Sequence, residues 1–421
     1  MDKYYYKCFD CGKEYNKYDV EESLIYLCPD CGLVQKNQPL RGVLLIQYDY
    51  KLIRKNHSAA ELKELEPGKF WQYGYLWPLE YEKGKVKGIN AKSLDLIALG
   101  VDCVQELSSN DERFFILDDT RNPTLSFKDR ASSLVVLKAM QMGIKEIAAA
   151  STGNAGSSLA GICARMGLKS IVFVPRNIPD SKRIQIQSFG AQVIVVDGNY
   201  DLAFDTCLEL SQKKHWYNRN TAYNPLTIEG KKSSAYDIFI SFHGKIPDII
   251  FVPVGDGVII AGLYKGFWEL KQLGWIKKIP QLIAVQAEGS NAVVKYMTNK
   301  KFRYFSTNSI ADSICAGAPR NLFMAYDSIA KSGGSAVAVS DKEILTAQKT
   351  VAQKYGILIE PSSAASYAGY KKYCKTKSIG KKTPLLLFTG NGLKDISALM
   401  KWNDASKPVG AEAIRKIFHA K

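Results

Sequence analysis

Short apolar runs alternate with longer amphipathic stretches along much of the chain. This alternation predicts parallel β-sheet with helical crossovers. Residues 147–150 read as a strand. A helix over 157–166 follows, closed by Gly167 as the residue after its C-cap. Then come a strand at 170–174, a helix at 180–189, a strand at Gln192–Val196 and a helix at 202–213. A second such region opens with the apolar run 249–254, a buried strand, followed by a glycine turn and a helix from about 260 to 270. Pro384–Phe388 is another buried strand, and residues 131–142 carry a helical pattern. The expected fold is α/β: two parallel-sheet domains with a ligand site between them.

Outside these regions the pattern is less regular. Residues 46–110 mix a helix at 59–66 with aromatic segments such as Phe70-Trp71-Gln72-Tyr73. Residues 198–236 are polar and aromatic around the 202–213 helix, and a substrate-facing loop is expected there. Residues 401–421 read as a tail with a short helix. The expected division is 1–45 as a ribbon and 46–400 as a catalytic region, with a smaller sub-domain over about 130–235. No apolar run reaches the ~18 residues of a membrane span. The start, Met-Asp-Lys-Tyr-Tyr-Tyr-Lys-Cys, lacks the apolar core of a signal peptide. A cytoplasmic protein without a membrane partner is expected.

Cysteines define the ribbon. Five of the nine are scattered singly; the other four form two knuckles, Cys8-x-x-Cys11-Gly12 and Cys28-x-x-Cys31-Gly32. Matched knuckles at this spacing follow the zinc-ribbon pattern, and four thiolates leave tetrahedral zinc no open position. A structural Zn2+ on Cys8, Cys11, Cys28 and Cys31 is expected. Disulfides would require an oxidising compartment, and a redox pair would not need two knuckles. The four histidines show no ligand or triad spacing. The formal charge is +16, from 57 basic and 41 acidic residues, and a positive field favours anionic ligands. The lysines are spread rather than clustered, and no RNA-binding aromatic signature occurs, which disfavours nucleic acid.

Candidate chemistry lies at the strand-to-helix turns, where open α/β sheets bind ligands. Ser126-Phe127-Lys128-Asp129-Arg130 opens a helix, and the positive end of the helix dipole helps lower the Lys128 ammonium pKa. Ser151-Thr152-Gly153-Asn154-Ala155-Gly156 fills a βα loop. Gly255-Asp256-Gly257-Val258-Ile259 feeds a helix N-terminus, which makes an anion site. A dinucleotide fingerprint would need glycine at position 260, where Ile stands. Asp256 beside an anion is expected to offer its N–H and turn its carboxylate away. Thr389 ends the Pro384–Phe388 strand. Singly, each of these has a plain structural explanation: a capped helix start, a polar turn, a tight βα turn, a strand-terminal threonine. Together they supply an amine, an amide, a phosphate cradle and a hydroxyl, which pyridoxal 5'-phosphate requires.

Asn122-Pro123-Thr124-Leu125-Ser126-Phe127-Lys128-Asp129-Arg130, Ser151-Thr152-Gly153-Asn154, Gln286-Ala287-Glu288-Gly289 and Thr389-Gly390-Asn391-Gly392-Leu393-Lys394-Asp395 resemble the threonine synthase family. That family lies within the tryptophan-synthase-β-like, fold type II pyridoxal-phosphate enzymes. The resemblance spans roughly residues 110 to 400. It implies that Lys128 carries the cofactor, with Phe127 beside it, that Asn154 contacts the ring and that Gly255 to Ile259 hold the phosphate. It also implies that Thr389 faces the pyridine nitrogen and that Ser151, Thr152, Gly153 and Asn154 meet a small anionic amino acid. A homodimer is the expected assembly.

One stretch departs from the family. The usual Asn-Ser-x-Asn-Pro-Tyr-Arg-Ile-Glu-Gly reads here Thr221-Ala222-Tyr223-Asn224-Pro225-Leu226-Thr227-Ile228-Glu229-Gly230. A threonine hydroxyl does not replace a bidentate guanidinium. Two readings follow. Arg219, Lys231 or Lys232 has taken over a substrate phosphate, or the enzyme is a lyase or β-replacement relative acting on another amino acid. A basic zinc-ribbon binding protein with a degenerate cofactor fold is the alternative from outside enzymes.

Overall fold

The continuous apolar runs form the middle of the larger sheet. In the computed structural model, residues 3–100, 103–109, 112–151, 153–178, 180–198, 200–403 and 408–419 are described. The larger sheet has the order Ser335–Val339, Gln281–Ala287, Ile249–Pro253, Pro384–Phe388, Glu112–Asp118, Val104–Ser109. All neighbours are parallel except the last pair. Ile249–Pro253 and Pro384–Phe388 are buried at every position, as parallel strands covered by helices on both faces must be. Each fully buried Ile, Val, Leu or Phe contributes about 1.5–3 kcal/mol. The smaller sheet, ordered Gln192–Val196, Lys169–Pro175, Glu146–Ala150, Tyr217–Asn218, is parallel throughout. Two parallel sheets and a small N-terminal cysteine-cluster region make up the α/β fold.

Three helices start earlier than their apolar periodicity indicates: Lys128–Gln141, Asn154–Met166 and Val258–Gln272. Their first turns are polar or glycine-flanked, so a hydrophobic pattern cannot register them. Lys128, Asn154 and Val258 are therefore the first residues of three helices. Pro361–Thr376 starts a fourth, with Pro361 in its first turn. Such N-termini present unpaired N–H groups and positive dipole ends.

The expected loop over 198–236 is mostly helix: Tyr200–Lys214, then Leu226–Ser241. The second helix is buried on all sides despite Thr227, Glu229, Lys231, Lys232, Ser233, Ser234 and Asp237. With charges on every face it shows no 3.6-residue hydrophobic stripe, which disguises it as a loop. It packs against Lys128–Gln141 and Val258–Gln272. A Cβ at Gly230 would lie 2.3 Å from the Arg130 carbonyl oxygen, so only glycine permits that approach.

In the ribbon, Tyr4–Cys8 pairs antiparallel with Glu14–Tyr15 and Leu44–Tyr48. Its buried Tyr4, Tyr6, Leu44 and Ile46 belong to the same apolar core as Leu134, Phe239 and Phe267 of the main body. The tail contains the helix Ala411–His419. Among the described residues no helix is long and apolar enough to cross a membrane.

Candidate active site

A cavity of about 640 Å³ lies between the two sheets, at the carboxyl ends of their central strands. Lys128, Ser151, Gly153, Asn154 and Lys231 line it, as do Gly255, Asp256, Gly257, Val258 and Ile259. Phe127, Arg219 and Thr389 are buried but do not line it, and Thr152 lies outside the described residues. The Phe127 N–H donates to the Thr389 carbonyl oxygen at 2.9 Å, which fixes the lysine turn to the end of the Pro384–Phe388 strand.

The neighbours of Lys128 explain its placement. The Ser126 hydroxyl accepts its N–H at 3.1 Å. The buried Asp129 carboxylate accepts the Thr124 N–H at 2.7 Å and the Thr124 hydroxyl at 2.5 Å. Arg130 is fully buried and grips Asp119 bidentately at 2.6 and 2.8 Å. It also donates to Asp237 at 2.5 Å and to Ser233 at 2.9 Å. These bonds hold the helix start while the Lys128 side chain reaches the cavity. Burial pushes the Lys128 ammonium below the ordinary lysine range; Glu360 pulls the other way, and Arg219 adds to the depression.

The glycine turn has no room for side chains. A Cβ on Gly255 would lie 2.9 Å from the Ile314 Cα. Gly257 has φ +88°, and a Cβ there would meet the Asn321 carbonyl oxygen at 2.9 Å. Only glycine keeps this backbone, and it leads directly into the Val258–Gln272 helix. Asp256 lines the cavity, and its carboxylate accepts the Arg320 N–H at 3.2 Å. Two glycines at a helix N-terminus beside a buried lysine suit a cofactor that carries an aldehyde and a phosphate.

Asn154 is held by a residue that the sequence reading missed. Its amide donates to both carboxylate oxygens of buried Glu360, at 3.0 and 2.8 Å, and to the Ser313 hydroxyl at 3.3 Å. Burial pushes the Glu360 carboxyl upward. In sequence, Glu360-Pro361 reads only as a helix start, though an acidic residue before Pro361 was a usable signal. Ser363 was also missed. Its hydroxyl accepts the N–H groups of Thr389 and Gly390, both at 2.8 Å, and so sets the Thr389 turn.

Two cations stand out. Lys231 is fully buried, lines the cavity and donates only to the Thr227 carbonyl oxygen at 3.2 Å. Among the described residues no carboxylate pairs with it. Burial, with Arg219 and Lys128 nearby, pushes its ammonium well below the usual range, against the pull of the Asp256 carboxylate. Arg219, also fully buried, donates to Ser132 at 3.3 Å and to Thr221 at 2.7 Å, while its Nη2 is buried without a partner. Burial pushes its guanidinium down to about 10. A buried donor left unpaired costs about 1–3 kcal/mol unless a ligand meets it. The Thr227 hydroxyl is already spent on the Asn224 carbonyl oxygen at 2.8 Å.

The four knuckle cysteines converge, with all sulfurs within 4.8 Å of one another. Cys8–Cys31 and Cys11–Cys28 sulfurs are 3.4 and 3.7 Å apart. A disulfide needs about 2.05 Å. Zn–S bonds of about 2.3 Å in a tetrahedron place sulfurs roughly 3.8 Å apart. The cluster fits zinc.

Comparison with known proteins agrees with this geometry. Residues 103–390 match the family of pyridoxal-phosphate dependent enzymes. The threonine synthase of Methanocaldococcus jannaschii is 35% identical over 400 residues, 94% of each chain. That of Methanosarcina acetivorans is 33% identical over 429 residues, 99% of each chain. Among solved structures, maize serine racemase superposes with a TM-score of 0.63 at 18% identity, over 78% of this chain and 97% of that one. An O-ureido-L-serine synthase gives 0.62 at 17% identity, over 78% and 99%. At those identities the structures speak for the fold alone. The sequence relatives go further: this chain belongs to the pyridoxal-phosphate-dependent enzymes and, within them, to the threonine synthase family.

Proposed function

We propose that this protein converts O-phospho-L-homoserine and water to L-threonine and phosphate. The observation that carries this reading is a pair of buried basic groups near the Lys128 amine: Lys231, which has no ion pair among the described residues, and Arg219, whose Nη2 has no hydrogen-bond partner there. They suit a substrate with a phosphate at the end opposite its amino group.

Pyridoxal 5'-phosphate, when bound, supplies an electron sink that makes the carbons next to the substrate's amine acidic. The chain's residues do the rest. Lys128 would hold the cofactor, and burial, which lowers its pKa, favours the neutral amine that can take and return a proton. Backbone N–H groups of Gly255, Gly257, Val258 and Ile259 would hold the cofactor phosphate, with the Asp256 carboxylate engaged elsewhere. Asn154, oriented by Glu360, would hold the ring's 3' oxygen. Phe127 would back the lysine turn, and Thr389 would offer its hydroxyl to the pyridine nitrogen. Ser151, Thr152 and Gly153 would bind the substrate carboxylate. Arg219 and Lys231 would bind its phosphate as charge-assisted donors. Zinc on Cys8, Cys11, Cys28 and Cys31 would have no open position for chemistry. The working unit would be a homodimer in the cytoplasm.

One observation favours a second reading. Thr227 stands where the family has arginine, and its hydroxyl is used internally, as in an enzyme whose substrate lacks the phosphate. Incubation with O-phospho-L-homoserine, O-phospho-L-serine, L-threonine and L-serine separates the two. The proposal expects threonine and phosphate from the first alone. Ammonia and a keto acid from an unphosphorylated amino acid would support the second reading instead.

A further inference from the structure

The cysteine ribbon reaches the cavity. Leu33 and Arg41 pair as an antiparallel bridge and close a loop that leaves the second knuckle. Asn37, at φ +57°, lies on that loop and lines the same cavity as Lys128 and Lys231. Arg320 lines it too and clasps the loop from the main body. Its guanidinium donates to the Gln38 carbonyl oxygen at 3.3 Å, and its own carbonyl oxygen accepts the Leu40 N–H at 2.9 Å. The guanidinium carbon sits 4.9 Å from the Phe204 ring centre, over a helix of the smaller sheet. Leu40 is buried and anchors the loop.

The ribbon makes a second contact on the other flank. The Tyr26 hydroxyl, two residues before Cys28, accepts the Asn218 N–H at 2.8 Å. Its ring lies 5.1 Å from Tyr223 and 5.9 Å from Tyr217. Asn218 precedes Arg219, and Tyr223 lies within the stretch that has lost the family's arginine. One small region thus braces both Arg219 and Arg320.

We propose that the ribbon is a wall of the substrate site: Asn37 and Arg320 receive the phosphate monoester end of the amino-acid substrate, and Gln38 and Tyr26 are positioning residues that aim Arg320 and Arg219 at it. This rests on the threonine synthase reading above. Arg320 brings to the ribbon side of the cavity the guanidinium that Thr227 lacks. The cysteine cluster, by fixing the loop and Tyr26, sets substrate affinity as well as stability.

The test uses the full-length holoenzyme. Steady-state turnover of O-phospho-L-homoserine and calorimetric titration with inorganic phosphate are measured for Arg320→Gln, Arg320→Lys, Tyr26→Phe and Asn37→Gly. The last keeps the left-handed backbone. Arg320→Gln is expected to raise KM about tenfold or more and to weaken inorganic phosphate in parallel. Tyr26→Phe and Asn37→Gly are expected to raise KM roughly three- to tenfold, with kcat within about twofold in every case. Arg320→Lys, which keeps the charge, should fall between, and it carries the test if the glutamine variant does not fold. The inference is overturned if the unaltered enzyme makes threonine while these variants keep KM and phosphate affinity, or lose kcat at constant KM. If the unaltered enzyme makes no threonine, the proposed function falls and this inference falls with it.

Discussion

Lys231 and Lys232 are neighbours on one helix and both are fully buried, yet their settings are opposite. Lys232 contacts Glu229 at 2.6 Å and Glu269 at 3.0 Å. Lys265 joins the same two glutamates, 2.6 Å from Glu229. Tyr48, at the end of the ribbon's third strand, and Tyr50, at the start of the next helix, donate to the two carboxylates at 2.8 and 3.0 Å. Two lysines and two glutamates balance, so that cluster is closed. Lys231 meets one carbonyl oxygen and a cavity. A buried charge with its counter-ion holds the fold together, whereas a buried charge without one awaits a ligand.

The comparison breaks most sharply at Lys128. Lys128→Ala should cost at least ~10^3-fold in turnover, since the amine proposed to carry the cofactor is lost, and leave the melting curve nearly unchanged. Reductive trapping should label Lys128 in the unaltered protein; label on another lysine would refute the assignment. Lys232→Met leaves excess buried negative charge and should destabilise by about 3–5 kcal/mol, read by chemical denaturation. Lys231→Met should do the reverse, leaving stability equal or raised while KM for O-phospho-L-homoserine rises about tenfold, ~1.4 kcal/mol of binding. The pH dependence follows from linkage. Lys231 has a folded pKa below the ordinary lysine value of 10.5, so the unfolded chain binds more protons and stability is lost as pH falls below about 10.5. The stability advantage of Lys231→Met should therefore be present at neutral pH and shrink as pH rises toward that value.

The effect on the ribbon should be smaller for chemistry. Replacing Cys8 and Cys11 with serine should release zinc, measured by metal analysis, and lower the melting temperature by several degrees. It should slow kcat little in the folded fraction. A large loss of kcat at unchanged stability would contradict a structural metal.

What the sequence disclosed follows from the range of each interaction. Pro384–Phe388 and Gln192–Val196 were legible because strand runs are local and apolar. The knuckles were legible because each pair of cysteines lies three residues apart, and the glycine turn because backbone approach allows no side chain there. The Leu226–Ser241 helix was not legible, since Lys232 is answered by Glu269, Glu229 by Lys265 and Asp237 by Arg130, all outside the helix. Arg130 reads as a solvated helix residue until its partners Asp119 and Asp237 come together. Glu360 reads as a cap until Asn154, 206 residues away, is seen against it. The contact between Gln38 and Arg320 spans 282 residues, so nothing local in the ribbon points to the cavity.

On this proposal Lys231, a buried amine without an ion pair among the described residues, is kept for a substrate phosphate. It is tested most directly by comparing kcat/KM for O-phospho-L-homoserine in the unaltered enzyme and Lys231→Met, with threonine and phosphate both quantified. The account predicts equal amounts of the two products and a kcat/KM about tenfold lower in the variant, carried by KM. Unchanged kinetics in the variant, or no threonine from the unaltered enzyme, would contradict it.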